Sequence, residues 1–125
     1  MRKLFLALII VCLTASLALA TNATKKIGNY IDIIPDGSTD WDITVDTGSA
    51  NGVSLNYIAF YPSAANDVLV VRDRNGTGVR IFTAKDTAGG GLIMYYDGLM
   101  TKPYIKAADC TFGTAANVRI LMAIR

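Results

Sequence analysis

Val68-Leu69-Val70-Val71-Arg72-Asp73-Arg74-Asn75-Gly76-Thr77-Gly78-Val79-Arg80-Ile81-Phe82-Thr83-Ala84 is the stretch that decides the fold. Two β-branched runs, Val68 to Asp73 and Val79 to Ala84, flank a turn in which Asn75-Gly76 tolerates positive φ. That combination predicts a β-hairpin. The same grammar extends in both directions. Upstream, Trp41, Ile43 and Val45 alternate with Asp42, Thr44 and Asp46, which reads as a half-buried strand. Before it, the β-rich run Ile27 to Ile34 stops at Pro35-Asp36-Gly37. Val53 to Tyr61 follows the loop Thr47 to Gly52, and its apolar parity changes after Tyr57. A bulge or burial on both faces would account for that change.

Downstream, Leu92 to Tyr96 follows Gly89-Gly90-Gly91, and Tyr104 to Ala107 follows Pro103. Val118, Ile120, Met122 and Ile124 alternate with Asn117, Arg119, Leu121 and Ala123 in a last strand that is apolar at nearly every position. Such a strand must be central, covered on both faces or paired with another subunit, because an exposed edge of this kind aggregates. The total is seven or eight short strands with helix limited to a single turn. Missing Glu and Gln, with abundant Thr, Val, Ile, Tyr and Gly, argue the same way. The expected fold is all-β, an antiparallel β-sandwich of jelly-roll type, with a small barrel as the alternative.

Residues 1–20 read as a signal peptide. Arg2-Lys3 is the positive start, Leu4 to Leu13 the apolar run, and Ala18-Leu19-Ala20 the small-residue exit. A retained anchor from Leu4 to Ala20 would be 17 residues long, short for a span of roughly 20. A lipoprotein reading of Cys12 fails at Val11, where a small residue is needed. The mature domain is then 21–125, with Cys110 as its lone thiol and no internal disulfide. Its parity with Phe112 makes Cys110 a buried small hydrophobe, the alternative being a disulfide between copies. Removing Arg2 and Lys3 from 12 basic residues leaves ten against ten Asp, a net charge of zero. That balance gives no electrostatic case for nucleic acid. The charges are unevenly placed: residues 21–67 hold two Lys against six Asp, and residues 68–125 hold eight basic groups against four Asp. A neutral molecule with opposite halves attracts its own copies, unless folding intermixes the charges.

Chemistry is thin. With no His there is no Ser-His-Asp or Cys-His site and no imidazole metal ligand. Asp36, Asp40, Asp42 and Asp46 crowd one region, yet their spacing is not that of a calcium loop. Gly89-Gly90-Gly91 lacks the Lys and Ser/Thr of a phosphate-binding loop. Ten Asp residues make some carboxylate pair inevitable, but no local pattern marks a glycosidase dyad. Asn22-Ala23-Thr24 and Asn75-Gly76-Thr77 match glycosylation sequons, which matter only in a eukaryotic secretory pathway. The expectation is therefore a non-enzyme with no catalytic, cofactor-binding or metal-ligating residues.

Interaction is the remaining possibility. Adjacent Tyr95 and Tyr96 point to opposite faces of a strand, so at least one faces outward or an interface. With Trp41 and the last-strand residues Val118, Ile120, Met122 and Ile124, they are the candidate contact residues. The run Phe60-Tyr61-Pro62-Ser63-Ala64-Ala65-Asn66-Asp67-Val68-Leu69-Val70-Val71-Arg72-Asp73 adds a resemblance, together with Gly78-Val79-Arg80-Ile81, Lys102-Pro103-Tyr104-Ile105 and Asn117-Val118-Arg119-Ile120. Over about residues 52–125 it resembles short β-rich phage and prophage virion proteins, such as capsid decoration proteins. The resemblance implies a structural role, although virion proteins assemble in the cytoplasm and an export signal departs from that pattern. The expected function is an exported or virion-associated assembly protein that associates with itself or decorates a capsid or filament. Its expected partners are its own copies or other structural subunits, with no membrane once the leader is cleaved. A secreted carbohydrate-binding module using Trp41 and the tyrosines is the alternative.

Overall fold

The computed structural model describes residues 21–48, 51–87, 93–96, 98 and 100–125, with backbone alone at 45–46 and 93–96. The leader, residues 1–20, lies outside the described residues, as does the Gly89-Gly90-Gly91 connection. The chain is all-β, and its strands form two antiparallel sheets. Among the described residues there are ten strands, more than the seven or eight expected. They are β1 (Ala23–Ile27), β2 (Tyr30–Ile34), β3 (Trp41–Asp42), β4 (Val53–Tyr61) and β5 (Val68–Asp73). Then come β6 (Arg80–Lys85), β7 (Ile93–Tyr96), β8 (Met100–Thr101), β9 (Pro103–Ile105) and β10 (Arg119–Ile124).

One sheet runs β1-β2-β10-β4-β7, with β8 against the start of β4; the other runs β3-β9-β5-β6. A single cluster of buried residues joins the two: Ile31, Ile33, Ile58, Phe60, Ile120 and Met122 from the first, Leu69, Val71, Phe82 and Ile105 from the second. This is a sandwich-like arrangement, held by side chains that each contribute roughly 1.5–3 kcal/mol by leaving water. β10 lies between β2 and β4, pairing Ile120 with Ile33 on one side and with Phe60 on the other. Of the alternatives open for the most apolar strand, the structure shows the central one.

The parity change in β4 resolves as a bulge. Ala123 pairs with Tyr57 and Ile124 with Leu55, which leaves Asn56 unopposed and exposed. The decisive hairpin also forms, with Val68 opposite Lys85 and Val71 opposite Phe82. Its turn works differently from the expectation, because the left-handed residue is Arg74 (φ +74°) and not Asn75. Asn75 instead accepts from the Thr77 N–H (3.0 Å) and hydroxyl (2.8 Å) through its side-chain oxygen. At Gly78 any Cβ would lie 1.6 Å from the Asp73 carbonyl oxygen, so this turn demands glycine.

Three local expectations are corrected. The run Ile27 to Ile34 is two strands, because Gly28 (φ +57°) reverses the chain and sets Ile27 opposite Tyr30. The strand expected over Trp41 to Asp46 ends at Asp42, after which Ile43–Thr47 forms a single helical turn, α1. The Asp42 carboxylate caps it by accepting from Thr44 N–H (2.8 Å), and Gly48 closes it in the left-handed conformation. Those end signals outweigh an alternation only six residues long. Cys110 follows a 3₁₀ turn, Ala107–Asp109, and is not in a strand; it is partly buried against the core, where burial pushes its thiol upward.

One buried carboxylate ties the loops together. Asp67, 1% exposed, precedes β5 and accepts from Ser63 N–H (2.6 Å), Ser63 hydroxyl (2.7 Å), Ala64 N–H (3.1 Å) and Gly113 N–H (2.7 Å). Its backbone also accepts from Asp86 N–H at 2.9 Å. Burial alone would raise this carboxyl, but the hydrogen bonds from Ser63, Gly113 and Ala64 outweigh it and hold Asp67 below its ordinary value.

Candidate interaction face

The sandwich covers one face of the first sheet and leaves the other open. On the open face the register builds a row across three strands: Tyr30 opposite Ala123, and Ala123 opposite Tyr57. Ala123 is 5% exposed and too small to separate its neighbours, so the two tyrosine rings meet above it with centroids 6.5 Å apart. The next row is Asp32, Leu121 and Ala59, and beyond it Arg119 stands opposite Tyr61. Ala59 and Ala123 are buried without belonging to the shared core, covered by the larger side chains of this outer face. Ile27 (57% exposed), Tyr30 (47%) and Tyr61 (43%) leave much apolar surface in water.

Among the described residues one ion pair, Arg119 with Asp32, lies on this face, and Lys25 stands opposite Asp32 on its other side. Arg119 reaches back to Asp32 with both Nη2 and Nε, the latter at 3.3 Å, and Asp32's hydrogen bond and charge hold the guanidinium ionised. Asp32, Tyr61, Asn117, Arg119 and Leu121 surround a shallow depression of about 170 Å³. This pair also joins the acidic first half of the chain to the basic second half, so the two charge sets intermix here. Residues 25 and 26 are lysines on the edge strand β1, a placement that discourages edge-to-edge pairing.

Compared with known protein families, curated proteins and solved structures, the chain matches none.

Most contact residues expected from sequence sit elsewhere. Trp41 is 4% exposed and belongs to the core. Val118, Ile120 and Met122 are fully buried and Ile124 is 8% exposed, so they fill the sandwich and offer nothing to a partner. Their strand contributes to the open face through the opposite parity, Arg119, Leu121 and Ala123. The backbone of Tyr96 pairs with Tyr57 and that of Tyr95 with Ile58, while both tyrosine side chains lie outside the described residues. Tyr30, Tyr57 and Tyr61 carry the face instead. Their sequence signal was parity relative to the buried isoleucines, hidden by the Gly28 turn and the Asn56 bulge.

Three of the four clustered aspartates have local employment, and the side chain of Asp46 lies outside the described residues. Asp36 accepts from Ser38 N–H (2.7 Å) and Thr39 N–H (2.7 Å), and Asp42 caps α1. Asp40 accepts from the Tyr104 hydroxyl (2.6 Å) and Ala107 N–H (2.8 Å), which joins the β3 end to β9. That hydrogen bond, with burial and the charges of Asp40 and Asp42, pushes Tyr104 up to about 12. Among the described residues no three His, Cys, Asp or Glu side chains come together as a metal site.

Proposed function

We propose that this chain is a non-enzymatic assembly module, exported by its leader, that acts by laying the open tyrosine face of its first sheet against further copies of itself. The single observation that carries this reading is the Tyr30–Ala123–Tyr57 row with Tyr61, Leu121 and Ile27 beside it, an aromatic and aliphatic surface on the open face of the sheet. Tyrosine and aliphatic side chains around a satisfied ion pair are the composition of subunit interfaces. Zero net charge after leader removal lowers the repulsion between copies. A jelly-roll-like strand arrangement and a site at a virion or cell surface belong to the same proposal, supported by the resemblance of residues 52–125 to phage structural proteins. The carbohydrate alternative loses Trp41 to the core, and Tyr30 and Tyr57 are inclined at 55° to one another and do not form a level platform for a sugar.

Sedimentation of the mature protein at micromolar concentration tests the proposal. Dimers or larger particles are expected, and the double substitution Tyr30→Asp with Tyr61→Asp should return them to monomers without altering the circular dichroism. A wild-type protein that stays strictly monomeric at high concentration sinks it.

A further inference from the structure

A second region points to a small ligand and stands independently of the tyrosine face. The chain changes sheets at Lys102: Thr101 pairs with Val53 beside the first sheet, and Pro103 pairs with Asp73 in the second. The corner is fixed by Lys102 N–H donating to Asp73 Oδ1 (2.8 Å) and Arg74 N–H donating to the Lys102 carbonyl (2.7 Å). Between them opens a cleft of about 300 Å³ lined by Asn51, Asp73, Arg74, Met100, Thr101 and Lys102.

Several features of this cleft favour a ligand. Arg74 is held at φ +74°, a conformation that costs a non-glycine residue energy, and its side chain is 78% exposed. Its Nε lies 3.3 Å from Asp73 Oδ2, which leaves the two terminal nitrogens for another acceptor. Lys102 contributes a second cation without an ion pair among the described residues, so the described lining (Asp73, Arg74 and Lys102) has a net charge of +1. Thr101 is 6% exposed, and its hydroxyl is buried with no hydrogen-bond partner, an omission that ordinarily costs stability. Met100, 69% exposed, adds an apolar wall.

We propose that this cleft binds an anionic sugar, with its carboxylate or phosphate on Arg74 and Lys102, a hydroxyl on Asn51, and its C–H face on Met100. A cleft of about 300 Å³ suits one such ring. Calorimetric titration of the purified protein with glucuronate, glucose 6-phosphate, glucose and inorganic phosphate tests it. Glucuronate or glucose 6-phosphate should bind, weakening as salt rises, and the better of the two identifies the oxyanion. Arg74→Gly, which suits the backbone, and Lys102→Met should each weaken binding about tenfold or more with the fold intact by circular dichroism. Glucose binding as tightly as the charged sugars, phosphate alone binding as tightly as its sugar ester, no heat from any of the four, or binding unchanged in both variants would each overturn the proposal.

Discussion

The two ends of β5 carry the same residue in opposite circumstances. Asp67, just before the strand, is buried and satisfied by four donors from two loops. Asp73, at the other end, is half-buried, and the corner around it holds a left-handed arginine, an orphan threonine hydroxyl and an open cleft. The first end spends its polar groups on holding loops together. The second keeps polar groups uncommitted at a cost in stability, which is the signature of a surface retained for something other than folding.

If that contrast is right, substitutions at the two ends should have opposite signs. Asp67→Ala strands the donors of Ser63, Ala64 and Gly113 and should destabilise the domain by about 3 kcal/mol in urea unfolding. A loss below about 1 kcal/mol would mean that water replaces the carboxylate freely. Acid reports on the same group. Because the folded Asp67 carboxyl lies below its ordinary 3.8, its contribution is complete above that value and disappears as pH falls through the lower folded one. Asp67→Asn should therefore lose less stability than wild type between pH 5 and pH 2, measured by urea midpoints at each pH. At the other end, Thr101→Val removes a buried hydroxyl that bonds to nothing and should stabilise by about 1 kcal/mol. Arg74→Gly should be the mildest, stabilising by at most about 0.5 kcal/mol, since relief at positive φ is partly offset by the freer unfolded chain. Thermal melts of these last two variants sharpen the comparison: destabilisation by either would show that the cleft end is also built for folding.

Fold class was legible because period-2 patterning and turn residues act locally. The hairpin of β5 and β6 followed from runs of Val and Ile around a turn, and the apolar run of β10 narrowed its place to a few alternatives, of which the central one is seen. Where expectation and structure part, two local signals compete. Trp41 to Asp46 alternates like a strand, yet Asp42 and Gly48 are also the two caps of a helical turn, and the caps win over so short a run. Gly28-Asn29 makes a two-residue turn inside a β-rich stretch whose flanking residues read as one continuous strand. The tyrosine face was harder, because its parity could be assigned only after the Gly28 turn and the Asn56 bulge were known. The cleft had no local signature at all: Asn51, Asp73–Arg74 and Met100–Lys102 are brought together only by the switch of the chain between sheets.

The position of β10 has a consequence for synthesis. The strand that keys the larger sheet, between β2 and β4, is formed by residues 119–124. Until those residues leave the ribosome, β2 and β4 have no bridge and the core lacks Ile120 and Met122. Closing the larger sheet therefore means joining segments distant in sequence, a topology that slows folding.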